Sequence, residues 1–228
     1  MLFIGLDDTD TLESRGTGHL AREIAATLAV DCPLLGVTRH QLLVDPRVPC
    51  TKKNSCAAIV LDGDGDLDPV AVLERVRALM LADFQPGSDP GLCVTYDVPV
   101  AVTEFGRRVQ LQLVTQEEAR ALAAAYAIPL LGLGGDQDGV IGALAAVGLA
   151  ATGEDGRYVL VGRSRELSGL QPVSALLAAG VAAVRTLDGL PVTEGLVQAD
   201  KLRPARRGGR PVAFVEWAGD NWRPVKLD

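Results

Sequence analysis

The chain is poor in the features that mark exported, membrane-bound or zinc-binding proteins. It has no apolar run near the ~20 residues that a membrane span needs, and no basic segment precedes an apolar one at the N-terminus. Its four cysteines form no Cys-x-x-Cys pair and have apolar or small neighbours, which indicates reduced thiols rather than a zinc site. We therefore expect a cytoplasmic protein that does not contact a membrane.

The chain also lacks the excess of positive charge that general nucleic-acid binders carry. Its net charge is −7 at pH 7, whereas phosphate contacts need clustered Lys and Arg. One local exception is a basic group beside two glycines near the C-terminus, made of Lys201, Arg203, Arg206, Arg207 and Arg210. This group is typical of a phosphate-binding turn or of a solvated charged turn. Nearby, Trp217 and Trp222 either stack on a base or pack a small subdomain.

Common nucleotide and calcium motifs are missing as well. Gly132 and Gly134 lack the third glycine of a dinucleotide-binding fingerprint, and no Gly-Lys-Ser/Thr marks a P-loop. The acidic run 62–68 has Leu67 where a calcium-binding EF-hand loop needs glycine, and Leu73 where it needs glutamate. We interpret 62–68 as a flexible acidic linker and a candidate domain boundary.

The most informative stretch is an acidic segment that follows a short apolar run. Leu2 to Leu6 suit a buried strand, and apolar residues at helical spacing predict a helix over 20–30. Ligands of open α/β sheets gather at that end of a strand, so we expect the active centre here. The carboxylates of Asp7, Asp8 and Asp10 repel one another unless a cation lies among them. Oxygen ligands favour Mg²⁺ over zinc.

An anion site is predicted directly after this acidic segment. Gly16-Thr17-Gly18 opens the helix, where free backbone N–H groups favour an anion. Carboxylates beside an anion site indicate a metal-bound nucleotide, and Arg15 is placed to offset charge that develops during phosphoryl transfer. The alternative is a solvated acidic loop in which Asp10 or Thr11 merely caps the helix.

The remaining patterns predict a mixed α/β (α+β) chain. Predicted strands cover 34–39, 41–44, 56–61, 92–98, 107–114, 128–133, 158–161 and 211–217, and predicted helices cover 70–81, 116–126, 140–149 and 172–180. Thr115 and Glu118 suit a capping box. Val109, Leu111 and Leu113 alternate with polar residues as a half-buried strand does. The segment 62–127 thereby approximates a ferredoxin-like βαββαβ module.

Several motifs occur in the order found in a known family. Gly5-Leu6-Asp7-Asp8-Thr9-Asp10 resembles the opening of archaeal tRNA-isoleucine 2-agmatinylcytidine synthetases. Similar segments follow over roughly residues 2–165: a Pro-x-Val-Pro segment, a basic turn and an Ala-Ala strand, an Asp-Pro-Gly turn at 89–91, the small-residue helix at 138–148, and a strand and arginine ending at Arg163.

The resemblance implies a fold and a set of site residues. It implies a kinase-like domain of mixed sheet from 1–61 and 128–168, a ferredoxin-like insert at 62–127 and a C-terminal extension at 169–228, without the family's OB-fold or zinc ribbon. It implies ATP and Mg²⁺ as cofactors. Thr17 matches the family's phosphorylated threonine if a two-residue deletion is allowed. Lys52, Lys53 and Asn54 are either phosphate or substrate contacts or an exposed basic turn. The predicted set is completed by catalytic Asp8 and Arg15 and by nucleotide contacts at Asp136, Asp138 and Gly139.

The acceptor is predicted from what the resemblance leaves out. The family uses ATP to phosphorylate the carbonyl of a cytosine in tRNA before agmatine attacks. Because the tRNA-anchoring domains are unmatched, we expect a small carbonyl or carboxylate compound as the acceptor. One alternative keeps RNA as the substrate, supplied through a partner subunit. Another is a nucleotide-binding regulatory or interaction protein without catalysis, which turnover would distinguish. No oligomeric state is predicted.

Overall fold

The computed structural model describes residues 1–63 and 67–227, so that three residues of the predicted acidic linker 62–68 lie outside the described part. The described residues form twelve strands and six helices. The strands are β1 Leu2–Asp7, β2 Leu34–Gln41, β3 Ser55–Leu61, β4 Gly91–Thr95, β5 Leu130–Gly132, β6 Arg157–Leu160, β7 Leu170–Pro172, β8 Ala183–Thr186, β9 Leu196–Gln198, β10 Ala205–Arg207, β11 Arg210–Trp217 and β12 Trp222–Val225. The helices are α1 Thr17–Leu28, α2 Pro69–Ala82, α3 Val100–Leu111, α4 Gln116–Ala125, α5 Gly139–Thr152 and α6 Val173–Ala178. The predicted mixed α+β class is confirmed.

One mixed sheet runs through the molecule, in the order β5-β4-β1-β3-β2-β6-β10-β11-β12-β9-β7, with β8 beside β11. β1 lies between β3 and β4 and is antiparallel to both. Helices α1 and α2 pack on one face of this part of the sheet, while α3, α4 and α5 pack on the other. A third core joins α6 to the strands that follow it. The acidic segment therefore leaves the sheet from an interior strand, with a neighbouring strand on each side.

Helix α5 packs directly against β1 and β4 because glycines remove side chains from the contact. A Cβ on Gly5 would overlap the carbonyl oxygen of Ala143, and a Cβ on Gly91 would overlap that of Gly139. Helix α5 is apolar around its whole circumference, and most of its residues are therefore buried. This close approach brings the start of α5 beside the end of β1.

The strand predicted over 107–114 is wrong, because residues 107–111 form the end of helix α3. Val102, Phe105 and Val109 are buried at helical spacing, whereas Leu111 is 75% exposed. The helical spacing of apolar residues thus agrees with their burial better than the alternating spacing does.

Within the predicted insert 62–127, β4 pairs with both β1 and β5. The predicted division of the chain into domains stays a prediction.

The basic group near the C-terminus is divided between the interior and the surface. Arg206 is 2% exposed, and its guanidinium donates to the carbonyl oxygens of Ala150 and Gly209 and to the hydroxyl of Tyr158. This arginine attaches β10 to the end of α5.

Trp217 and Trp222 pack edge to face with ring centroids 5.0 Å apart. Within residues 1–63 and 67–227, no helix has the length and apolar content to cross a membrane.

Candidate active site

The candidate site is a cleft of about 1000 Å³ at the carboxyl end of β1. Its walls come from the acidic segment, the loop before β3, the turn before β4, the start of α4 and the start of α5. Asp8 has φ 50°, a left-handed conformation that aspartate tolerates better than most residues. The chain therefore turns sharply at Asp8, directly after the strand ends at Asp7.

The Asp7 carboxylate lies between the sheet and helix α5. A Cβ on Gly142 would overlap its Oδ2 atom, so the glycine makes room for the carboxylate. Burial raises the pKa of Asp7 well above its usual range, and the charges of Asp8 and Asp10 raise it further. The negative charge at Asp7 is thus destabilised by its position and by its neighbours.

Asp8 lies where several carboxylates face one another. Burial raises its pKa to about 6, with further contributions from Asp89, Asp10 and Asp138. Like charges disfavour ionisation in this way when no cation offsets them. Perturbed carboxylates in a cleft mark candidate functional sites.

Asp89 is a cleft residue that the sequence patterns did not predict. It precedes β4 and lines the cleft, and its Oδ1 atom accepts a hydrogen bond from the backbone N–H of Asp136. The Asp-Pro-Gly pattern indicated only a structural turn. The antiparallel pairing of Asp7 with Gly91 brings this turn beside the end of β1, and no local motif in the sequence reveals that pairing.

A hydrogen-bonded network joins Asp10 to the start of α1. Asp10 Oδ1 accepts from the backbone N–H of Thr17 at 3.2 Å and from its hydroxyl at 3.0 Å. Asp10 Oδ2 accepts from the hydroxyl of Thr51 at 2.9 Å. Thr9 donates to the same Thr17 hydroxyl at 3.1 Å. Asp10 therefore binds the first backbone N–H of α1, whose N-cap residue is Gly16, and it also holds the Thr17 hydroxyl inside the cleft wall.

The other predicted residues divide between the cleft and its surroundings. Lys53, Asn54 and Asp138 line it together with Asp7, Asp8, Asp10 and Thr17. Asn54 donates to the carbonyl oxygen of Leu43, and Asp138 accepts from Gln116 at 2.6 Å. Arg47, which was not predicted as a site residue, also lines the cleft and forms an ion pair with Asp45.

Arg15 is directed along the outside of α1. Its Nη1 atom lies 3.3 Å from His19 Nε2 and donates to Glu23 Oε1 at 3.2 Å. Six predicted site residues are not among the described residues that line the cleft: Arg15, Gly16, Gly18, Lys52, Asp136 and Gly139. Gly139 instead ties the start of α5 to the turn before β4, because its N–H donates to the carbonyl oxygen of Asp89 at 3.0 Å.

The carboxylates fit a divalent cation only together with further ligands. In the described part of the chain, no three carboxylate, imidazole or thiolate groups converge closely enough to hold a metal ion. Mg²⁺ in phosphoryl-transfer sites is commonly held by one or two carboxylates, phosphate oxygens and water. Asp7 and Asp8 are adjacent, and such a cation would offset the negative charge of both carboxylates. The donor set therefore fits a cation that arrives with a nucleotide.

No family model matches the chain. It is 29% identical over 153 residues to an uncharacterized protein of Methanocaldococcus jannaschii, and the match covers 65% of this chain and 50% of that protein. It is 24% identical over 148 residues to the isoleucine-tRNA 2-agmatinylcytidine synthetase TiaS of Cenarchaeum symbiosum, covering 64% of this chain and 33% of the synthetase. The chain thus spans half the length of one relative and a third of the other.

Solved structures of TiaS share the fold. The complex of TiaS with its isoleucine tRNA and ATP superposes with a TM-score of 0.56 at 23% identity, over 64% of this chain and 36% of TiaS. The complex of TiaS with the same tRNA, AMPCPP and agmatine gives 0.54 at 22% identity, over 64% and 35%. The resemblance found in the sequence is thereby confirmed, and the similarity in fold extends over about two thirds of the chain.

The expected small-molecule acceptor is wrong. The curated relative is named for a modification of an isoleucine tRNA, and solved TiaS complexes contain that tRNA. ATP or its analogue and agmatine occur with the same enzyme. Unmatched tRNA-anchoring domains are no evidence against RNA, because the shared region belongs to an enzyme that binds RNA and ATP together.

Proposed function

We propose that this chain binds Mg-ATP in the acidic cleft and uses it to activate an RNA acceptor of the tRNA class for attack by an amine such as agmatine. The observation that carries the proposal is the pair Asp7 and Asp8, whose carboxylates lie in a cleft with pKa values raised by burial and by neighbouring carboxylates. The sequence and fold similarity to TiaS supports both ATP and tRNA as substrates.

Asp7 and Asp8 are the proposed ligands for the cation that accompanies the nucleotide. A bound Mg²⁺ would neutralise charge on the transferring phosphoryl group. Asp7 is fixed by its contact with Gly142, and Asp8 by its turn. Rigid attachment of both carboxylates lowers the cost of ordering them when the nucleotide binds.

Thr17 is the proposed site at which the chain itself receives a phosphoryl group. Its hydroxyl lies 3.0 Å from Asp10 Oδ1 and lines the cleft. In that step the Thr17 oxygen bonds to the γ-phosphorus, its proton passes to Asp10, and the bond to ADP breaks. Lys53 and Thr51, also in the cleft wall, are placed to contact phosphate oxygens.

The test is calorimetric titration of ATP into the protein with and without Mg²⁺, followed by chromatography of the nucleotide products formed with an isoleucine tRNA transcript and agmatine. We expect Mg²⁺-dependent binding and RNA-dependent consumption of ATP. Binding without consumption would instead indicate a regulatory nucleotide-binding protein. Absence of any binding would contradict the assignment of the cleft.

Labelling with γ-³²P-ATP tests the threonine separately. Thr17→Ala removes the hydroxyl and should abolish transfer of label to the protein, while Thr27→Ala on the exposed side of the same helix should not. Label that persists in Thr17→Ala would place the phosphorylated residue elsewhere.

A further inference from the structure

Five arginines from separate parts of the chain lie together on the α1 side of the sheet. We call them the arginine patch: Arg22 on α1, Arg39 on β2, Arg157 on β6, Arg165 after β6 and Arg203 before β10. Arg39 and Arg157 are direct partners in the β2–β6 pairing. Arg157 is in turn paired with Ala205, two residues after Arg203.

The positive charges of the patch act on one another. Burial lowers the pKa of Arg203, and the charges of Arg165 and Arg22 lower it further. Burial and then Arg165 likewise lower the pKa of Arg22, with the Glu23 carboxylate partly offsetting them. Positive charges therefore accumulate at one location on a protein whose net charge is −7.

Neutral carbonyl groups, rather than carboxylates, position three of these side chains. Arg22 Nε donates to the carbonyl oxygen of Gly18 at 3.0 Å, Arg165 Nη1 to that of Val159 at 3.2 Å, and Arg203 Nη1 to that of Leu202 at 2.7 Å. None of the three forms an ion pair with a carboxylate of residues 1–63 or 67–227. Each guanidinium retains further N–H donors for an anion.

The patch begins at the border of the cleft. Arg39 donates to Gln41 at 3.3 Å, and Gln41 is the strand partner of Ser55, which lines the cleft. Arg22 follows the cleft residue Thr17 by five positions, about 7.5 Å along the helix axis. The patch and the cleft wall therefore meet at the end of β2, where Arg39 and Gln41 lie beside Ser55.

We propose that the arginine patch is the surface on which the phosphodiester backbone of the RNA acceptor lies while its reacting nucleotide enters the cleft. This inference rests on the proposed function. Arg22, Arg165 and Arg203 each have one N–H bound to a carbonyl oxygen and further N–H donors, which complement phosphates that accept in bidentate fashion. Such contacts position an RNA without reading its sequence.

The experiment is titration of an isoleucine tRNA transcript with the 228-residue chain at several salt concentrations. The double variant Arg165→Gln/Arg203→Gln should bind about ten-fold more weakly, with a log–log salt slope smaller by about 2. Arg165→Lys/Arg203→Lys keeps the charge and should retain most of the slope. Arg77→Gln, which removes an exposed arginine paired with Glu74 on α2, is the matched control and should change neither quantity.

The outcomes separate this inference from the function on which it rests. Unchanged affinity and slope in the glutamine double variant, with RNA bound by the wild type, would overturn the patch and leave the proposed function standing. A wild type that binds Mg-ATP but no RNA would overturn both the RNA acceptor and the patch. Mg-ATP affinity measured in every variant identifies loss of folding, since the patch lies outside the cleft and this affinity should not change.

Discussion

The acidic cleft and the arginine patch are both clusters of like charge, but they are built differently. Asp7 is fixed by the close packing of α5 on β1, and Asp8 by the sharp turn that follows the strand. The patch arginines are long, half-exposed or exposed side chains, and Arg22, Arg165 and Arg203 each donate a hydrogen bond to a backbone carbonyl oxygen. The cleft is thus suited to a small ligand in one geometry, and the patch to an extended and variable polyanion. Substitutions should therefore affect stability in the cleft and only binding in the patch.

Gly142→Val should give the largest effect, because the new side chain would overlap the Asp7 carboxylate. We expect the free energy of unfolding to fall by about 3 kcal/mol, the upper end of typical overpacking costs. Urea unfolding measures it. Gly18→Val offers a comparison, since a Cβ there meets no atom within 4 Å. Equal losses in the two variants would contradict the close packing of α5 on Asp7.

Asp8→Asn should weaken Mg²⁺-dependent ATP binding about thirty-fold, which corresponds to about 2 kcal/mol. Asparagine adopts the left-handed backbone readily, so the turn is kept while one charged ligand is lost. Calorimetry with and without Mg²⁺ measures the effect, and Asp188→Asn on an exposed loop is the control. Unchanged affinity would exclude Asp8 as a ligand of the cation.

The same Asp8→Asn variant should be more stable than the wild type at pH 8. The pKa of Asp8 is about 6 in the folded protein against an ordinary 3.8, so the folded state binds the proton more tightly than the unfolded state. The ionised carboxylate therefore weakens the fold above pH 6, and this penalty disappears as the pH falls below about 4. After allowance for solvent screening we expect a gain of about 1 kcal/mol at pH 8. Urea unfolding at pH 4 and pH 8 would contradict this if the gain were the same at both.

Arg165→Gln/Arg203→Gln should change the free energy of unfolding by no more than about 0.5 kcal/mol, because surface substitutions rarely do more. Added sulfate should nevertheless raise the melting temperature of the wild type more than that of the double variant, since an anion that binds only the folded state stabilises it. Identical responses to sulfate would mean that the patch does not attract anions.

The sequence predicted the centre of the molecule well because its signals there are local. The apolar run of β1, the acidic segment and the small-residue helix α5 each occupy one continuous stretch, and each was recognised. The strand prediction over 107–114 was wrong because the apolar residues there fit two spacings. Val109 belongs to the alternating pattern of a strand and also to the three-to-four-residue pattern of a helix. Burial of Phe105 against α5, a contact between distant segments, favours the helix.

Features assembled from distant segments could not be predicted in the same way. Asp89 reaches the cleft through the antiparallel pairing of β1 with β4. The arginine patch combines residues from α1, β2, β6 and the segments that follow β6 and precede β10, while the apparent cluster in the sequence is divided because Arg206 is buried. Spacing along the chain carries no information about such pairings, so only the fold reveals these two groups.

The packing of α5 on β1 has a consequence for the order in which the protein matures. Asp7 and Asp8 are made before the helix that covers Asp7, which starts 132 residues after Asp7, at Gly139. At roughly 5–20 residues per second, the ribosome needs on the order of ten seconds to reach that helix. During this interval one face of β1 has no helix to cover it. The nascent protein therefore completes its acidic cleft only when this helix packs on a strand that was made well before it.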